Sequence, residues 1–467
     1  MNGASPPGDP LPSREALRSA LGWLTQGLLE RDDQAKALLL AVLSGEHVLF
    51  IGPPGTAKSA LARRLQALVG GRWFERLLTR FTVPEELFGP LSLTALDDGR
   101  YEREIEGYLP TAEVAFLDEV FKANSAILNS LLAMLNERTF DQGAQRIAVP
   151  LACLVGASND APDDEAMRAF HDRFLFRCHV SPVADASFRD LLTPKAPPAP
   201  TPPWRLTRAL VSRINDRVAA VGVGDDLLEA LMALRAALPA SGMVVSDRRW
   251  VRAVRVLRVA ALLDGGETAG LEYLPLLKWL LPVGVVQGAA FEHWMLGYLG
   301  VDRVLDPVWL DRAAQAFAQQ LDIEQAAGEV AFDDSGKLAI AREVGGVDSA
   351  ALSSAAPRLS AFSRARRYSR AHIDARVAQI TGVLERVDAW LVQADAHAAA
   401  LQQRLGSVLW LADGIAQAAR DTFAASVDRV RAARCQLESV RAEFARLPVA
   451  EREEGPVPEP VGIDGAR

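Results

Sequence analysis

The sequence predicts an α/β protein: a parallel-sheet core carrying a phosphate-binding loop, then an all-helical region, then an antiparallel helical bundle or arm with a small β-hairpin insert. Three observations carry this expectation. In the run His47–Ser59 (HVLFIGPPGTAKS), an apolar segment ends in a glycine-rich turn and continues into Lys58-Ser59 and a helical-looking stretch. In Glu113–Glu119 (EVAFLDE), a second apolar segment closes on two carboxylates. From Ile373 onward, apolar residues recur at alternating steps of four and three through Val377, Ile380, Leu384, Val387, Leu391, Ala394, Ala398, Leu401 and Leu405, the period of packed helices.

Taken in order, residues 1–12 read as a disordered N-terminus, and Ser13 as the cap of a first helix. A second helix is expected over about Asp32–Ser44, leading into the strand before the phosphate loop, and a third from Lys58 to about Val69. Trp73–Leu78 reads as a strand. Pro84–Pro110 is polar, glycine-punctuated and rich in both charges, so it reads as an excursion from the core. Val114–Leu117 is a buried strand, Ser125–Asn136 a helix, Thr139–Pro150 a hairpin turning at Asp141-Gln142-Gly143, and Leu151–Ala157 another buried strand. The proline-rich run 193–203 marks a linker closing an α/β core over 13–192. Residues 204–300 form an all-helical lid. A C-terminal helical arm occupies 301–450, with a short β insert near 329–346, and a flexible tail follows over 451–467.

Bulk properties narrow the classes. With 467 residues, about two to four domains are expected. A composition of 49% hydrophobic and 24% charged residues supports full buried cores. The net charge of −8 argues against coating nucleic acid through a general basic surface, so no nucleic-acid partner is expected. Cys153, Cys178 and Cys435 lie far apart without ligand spacing and read as reduced, buried small residues of a cytoplasmic protein. Met1–Pro12 has no basic or apolar run, so no secretory signal is expected. The most apolar stretch, Tyr273–Leu296, is interrupted by Lys278, Pro282, Glu292 and His293. It predicts buried helices, with a transmembrane span as the minor alternative.

The chemistry follows from these positions. At a helix start, unpaired backbone N–H groups and the helix dipole make a site for phosphate. Lys58 adds a mobile positive charge, and Ser59 a hydroxyl for Mg²⁺. Ala57 stands where the common phosphate-loop pattern has glycine. The cradle survives if this position takes a negative φ, which is the expectation. Asp118 at a strand end can hold Mg²⁺ through its water shell, and Glu119 can polarise an attacking water. Asn159 is placed to orient that water or to form a turn. Arg173 and Arg177, four apart, would share a face if helical and serve either a surface ion pair or a neighbouring subunit's nucleotide. Arg248 and Arg249 open a helix against the dipole preference, so an anion beside them would remove that mismatch.

With these residues assembled, the chain resembles the MoxR group of AAA+ ATPases, and within it the RavA type of regulatory ATPase. The likeness runs from about residue 20 to 265. It is carried by Gly52–Ser59, Thr79–Ser92, Gly99–Arg103, Gly107–Pro110, Phe116–Glu119, Ala126–Asn129, Asn136–Arg138, Ala157–Asn159, Asp172-Arg173 and Val245–Trp250. The resemblance implies ATP/ADP and Mg²⁺ as ligands. It assigns Gly52, Gly55, Thr56, Ala57, Lys58, Ser59 and Ala60 to the phosphates, Leu29 to the adenine, and Ser59 and Asp118 to the metal. Glu119 would be the water-activating base, Asn159 the first sensor, Arg248 the second with Arg249 as its alternative, and Arg173 the trans-acting finger with Arg177 as runner-up. The Pro84–Pro110 excursion and the Thr139–Pro150 hairpin would face the pore of a hexameric ring.

Beyond residue 300 the likeness fades: only a short hairpin-like stretch stands where RavA-type chains carry a decarboxylase-binding domain. The expected function is that of an ATP-hydrolysing, chaperone-like remodelling motor acting with a von Willebrand factor A domain protein. Its client would be membrane-associated or a metabolic enzyme. A nucleotide-gated scaffold with slow ATPase is the alternative, and a DNA-acting ring ranks below both.

Overall fold

The computed structural model describes residues 11–159, 170–193, 201–241, 243–281, 285–300, 307–330, 363–412, 414–450 and 457–462. The chain divides into two compact units, Met1–Tyr298 with Gln402–Ala418, and Leu299–Leu401 with Ala419–Arg467.

The first unit is built on a five-stranded, wholly parallel sheet. Its strands are β1 (Val48–Ile51), β2 (Trp73–Leu77), β3 (Val114–Asp118), β6 (Cys153–Ser158) and β7 (Phe176–His179), in the order β2-β3-β6-β1-β7. Register pairs Val48 with Val155 and with Phe176, and Phe116 with Val155. Because β1, β3 and β6 are central and covered on both faces, they read as uninterrupted apolar runs rather than alternating ones. Their carboxyl ends therefore open at one edge of the sheet, at Gly52, Asp118 and Asn159.

Helices α1 (Arg14–Thr25), α2 (Asp32–Leu43), α3 (Lys58–Val69) and α6 (Ser125–Glu137) belong to this layered core. Ser13 caps α1 by accepting the Ala16 N–H, and Asn124 caps α6 by accepting the Ile127 N–H. The excursion Pro84–Pro110 holds two short helices, α4 (Glu85–Phe88) and α5 (Leu93–Asp97), tied by an antiparallel bridge between Leu91 and Arg103. The expected hairpin forms from β4 (Thr139–Gln142) and β5 (Gln145–Ala148).

After α7 (Phe188–Leu192), the helical lid comprises α8 (Arg208–Val218), α9 (Asp225–Ala237), α10 (Asp247–Leu263) and α11 (Leu277–Leu280), with α12 (Val285–Gly300) following. A two-stranded pairing of β8 (Gly222–Val223) with β9 (Thr268–Ala269) braces it. No helix among the described residues is long and apolar enough to cross a membrane, so Tyr273–Leu296 is not one span.

Helix α10 carries arginines at 248, 249, 252, 255 and 258, a spacing that fastens it along its length. Arg252 Nε donates to Glu46 at 3.2 Å, Arg255 to the Ser44 carbonyl at 2.8 Å, and Arg258 to the carbonyls of Val221 and Ala219. Segment 402–418 also belongs to the first unit. Trp410 is fully buried, Lys36 donates to the Leu411 carbonyl, and Arg404 pairs with Asp226 and Glu272.

The second unit contains helix α13 (Pro307–Ala326) and the greater part of α14 (Arg370–Ser407) and α15 (Ile415–Phe444). Leu310, Phe317 and Leu321 pack with Ile380, Leu384, Val387, Trp390, Val427, Val430, Leu437 and Phe444. Among the described residues the bundle therefore has three helices, where periodicity marks only two. Strand β10 (Gly328–Val330) pairs antiparallel with β11 (Ser363–Ala365), not with a partner a few residues on. The rest of the β insert expected near 329–346 lies outside the described residues. In the tail expected to be flexible, residues 457–462 are held instead: Val461 packs against this core, and the Glu459 carbonyl accepts from Arg376 at 2.7 Å.

Candidate active site

A cavity of about 330 Å³ opens at the carboxyl edge of the sheet. Its walls are Pro54, Gly55, Thr56, Ala57, Lys58, Ser59, Phe116, Asp118, Glu119 and Asn159. Residues from three stretches, separated by some 60 and 40 positions, thus meet in one cleft. The first stretch is the loop between β1 and α3. Gly52 begins it with the backbone pressed against the end of β7, where a Cβ would lie 2.1 Å from the Val180 carbonyl oxygen. Only glycine tolerates that approach.

Ala57 sits at φ 66° and ψ 21°, so the expected negative φ is wrong. The left-handed turn lets the chain enter α3 with its first N–H groups unspent, at a cost of roughly 1–2 kcal/mol for a residue with a Cβ. No side chain caps α3. Its open N-terminus therefore faces the cleft as an anion site.

Lys58 is buried, and its ammonium donates to the carbonyls of Gly52 at 2.6 Å and Pro53 at 2.8 Å. Burial lowers its pKa, while Asp118 and Glu119 oppose the shift. A charged amine held only by loop carbonyls between two carboxylates can exchange those partners for phosphate oxygens.

At the end of β3, the Asp118 carboxylate accepts the Glu119 N–H at 3.0 Å. Glu119 adopts φ 53°, a left-handed conformation unusual for a non-glycine residue and frequent where geometry serves function. Its carboxylate accepts from Asn159 Nδ2 at 2.5 Å and meets Lys122 Nζ at 3.4 Å. The Ser59 hydroxyl, the Asp118 carboxylate and the Lys58 ammonium share the same small cavity, a donor set that fits a magnesium–triphosphate group. The metal would supply charge neutralisation between the phosphates.

Leu29, half-buried, does not line the cavity, nor do Gly52 and Ala60, which lie beneath the loop and along α3.

The four candidate arginines separate. Arg177 lies on β7 and Arg173 in the turn before it, so they do not share a helix face. Arg177 is buried, donating to the His171 carbonyl at 2.9 Å, with Asp172 at 3.6 Å. Arg249 is 2% exposed and bonded to Asp172 Oδ1 and to the carbonyls of Phe174, Leu175 and Leu280. Burial lowers its pKa to about 10, with Asp172 opposing. Arg249 thus joins the lid to the core, while Arg177 is spent within the core. At the start of α10 the charge of Arg249 is met by backbone carbonyls and a carboxylate.

Arg173 and Arg248 are less enclosed, Arg173 being partly buried. Arg248 is exposed and donates to Asn136 Oδ1 at 3.1 Å. Asn136 lies eleven residues beyond Ser125 on α6, roughly 16 Å along the axis from the end nearest Glu119. Neither arginine lines the cavity. The Arg173 pKa is lowered by burial first and then by Arg248, which places these two cations together.

Sequence reasoning missed Phe116 as a wall of the cleft, Arg31 beneath the loop and the role of Arg252. The recurrence of arginine every three or four residues along α10 was the signal for Arg252. Phe116 and Arg31 carried none beyond an apolar strand and a helix start.

A phosphate loop after β1, an acidic pair at the end of β3, a polar amide at the end of β6 between them and a helical lid define an AAA+ ATPase. The comparisons agree. Residues 15–197 match the family described as the MoxR domain in the MoxR-vWA-beta-propeller ternary systems, and residues 226–281 match an AAA lid domain. Two uncharacterized proteins of Methanocaldococcus jannaschii are 38% and 39% identical over 256 residues, which is 55% of this chain and 67% and 68% of those proteins. The chaperone MoxR1 of Mycobacterium tuberculosis is 26% identical over 180 residues, 38% of this chain and 47% of that protein. The chain belongs to the MoxR family of AAA+ ATPases.

Proposed function

We propose that the protein hydrolyses ATP between subunits of a ring and uses the energy to remodel protein complexes, in the manner of a chaperone. The observation that carries this reading is the separation of the chemical groups. Lys58, Ser59, Asp118, Glu119 and Asn159 share one cleft, whereas Arg173 and Arg248 lie together outside it. An arginine outside its own chain's cleft is of use to the nucleotide of an adjacent copy, where it offsets charge that develops at the γ-phosphate.

In this reading, Gly55–Ala60 hold the phosphates, Lys58 binds the β- and γ-oxygens, and Ser59 and Asp118 bear on Mg²⁺. Glu119 accepts the proton of the attacking water. Asn159 holds Glu119 until substrate arrives. The division of labour follows the chain: the core over 13–192 binds nucleotide, the lid over 204–300 couples to it, and the arm over 301–450 reaches a partner. The matched family's description names MoxR–vWA systems, which supports a von Willebrand factor A domain protein as that partner. The RavA-like run Val245–Trp250 is part of this reading, but a decarboxylase partner is not.

The first test is Glu119→Gln. It keeps the size and a hydrogen-bond partner for Asn159 while removing the base. ATP binding should persist, and turnover should fall by roughly 10²-fold or more. Equal turnover in the two proteins overturns the role.

A further inference from the structure

Arg31 is 4% exposed, yet no carboxylate approaches it within salt-bridge distance among the described residues. Instead, its guanidinium is spent on three backbone carbonyls: Nε donates to Thr56 at 3.0 Å, Nη1 to Glu30 at 2.6 Å and Nη2 to Ser181 at 2.7 Å. The approach is set up by Glu30, which takes φ 55° and accepts the Ala184 N–H on its own carboxylate at 3.0 Å. A charge brought this far out of water is costly, and burial accordingly lowers its pKa, with the neighbouring Glu30 carboxylate opposing the shift. A simple packing role would be met more cheaply by an apolar side chain.

The Thr56 carbonyl is the informative partner. It belongs to the Thr56–Ala57 peptide, and Ala57 is the residue forced to φ 66°. In a trans peptide, the C=O and the following N–H point in opposite directions. Holding the Thr56 oxygen down onto Arg31 therefore turns the Ala57 N–H away from Arg31, toward the cavity that Ala57 lines. Thr56 is also pinned through its hydroxyl, which donates to the Pro53 carbonyl at 2.9 Å. Arg31 further ties this peptide to Ser181, one residue beyond the Val180 carbonyl that supports Gly52.

We propose that Arg31 is a positioning residue for nucleotide binding: it locks the Thr56–Ala57 peptide in the orientation that presents the Ala57 N–H to phosphate. It thereby offsets the conformational cost of alanine where a glycine would turn freely. The inference rests on the nucleotide site proposed above and concerns its affinity, not its chemical step.

The experiment is a double-mutant cycle on the full-length chain. ADP affinity with Mg²⁺ would be measured by calorimetry, the rate at saturating ATP in parallel, and thermal midpoints as a folding control. Arg31→Met should weaken ADP about tenfold while the saturated rate stays within about threefold. In the Ala57→Gly background the same substitution should cost only about two- to threefold, because glycine reaches positive φ unaided.

An equal loss in both backgrounds overturns the proposal, as does no loss in either. If Arg31→Met fails to fold, Arg31→Lys takes its place in the cycle. It keeps the charge but cannot span Thr56 and Ser181, so it should show the same dependence on residue 57, and an Arg31→Lys loss independent of residue 57 overturns the proposal equally. Failure of the wild type to bind ADP at all would instead count against the nucleotide site itself.

Discussion

Glu119 and Ala57 both occupy left-handed backbone, and both face the same cleft. The strain is therefore placed where two strand ends must aim groups at one point. At this scale, Lys58, Ser59, Asp118, Glu119 and Asn159 were legible in the sequence, because each is fixed by its position just after an apolar strand. The conformation of Ala57 was not, since the carbonyl before it is held by Arg31, 25 positions ahead of Thr56. The arginines divided for a similar reason. Spacing cannot tell a guanidinium aimed at backbone carbonyls from one aimed at a phosphate.

The arginines yield a prediction at the same scale. Arg249→Met should destabilise the protein by about 2–4 kcal/mol in chemical denaturation, because it strips three carbonyls and the half-exposed Asp172 of a buried donor. Arg248→Ala, on the exposed neighbour, should cost less than about 1 kcal/mol. Similar losses for both would contradict their assignment to different roles.

Among elements, α10 does the most to join lid to core, and its C-terminal end carries a titrating group. Asp264 accepts from Tyr273 Oη at 3.2 Å and from the Leu409 N–H at 3.3 Å, with Arg14 Nε at 3.4 Å. Burial raises its pKa to about 6, and Arg14 and the hydrogen bonds oppose the rise. The unfolded value is near 3.9, so the native state binds the extra proton between these values. Asp264 thus favours folding fully below about pH 4, and that contribution is lost as pH rises through 6. The loss is on the order of 2–3 kcal/mol. Asp264→Asn should therefore raise the thermal midpoint relative to wild type more at pH 8 than at pH 4.5. An identical difference at both pH values would show that Asp264 does not titrate in this range.

The elements also show where sequence patterns stop. The heptad run through α14 and α15 was visible because each helix carries its own stripe. Helix α13, which completes that bundle, was not, because only the partner stripes reveal which of its faces is inside. The pairing of β10 with β11 bridges residues some thirty positions apart, and a local turn signal cannot report it.

At the scale of the whole molecule, the proposed reaction needs one chain to supply both halves of a site, but not to the same cleft. The acidic pair and the phosphate loop open at one place. Arg173 lies beside Arg248, whose partner Asn136 is at the far end of α6. The central claim, catalysis shared between copies, is tested most directly by mixing two inactive proteins. Lys58→Ala lacks the phosphate lysine but keeps Arg173, and Arg173→Ala has the reverse defect. Each alone should hydrolyse ATP at least about tenfold more slowly than wild type. Mixed under assembly conditions, they should regain a measurable fraction of wild-type turnover, since some clefts then combine an intact lysine with an intact arginine. Activity in the mixture no greater than the sum of the separate proteins would contradict the account.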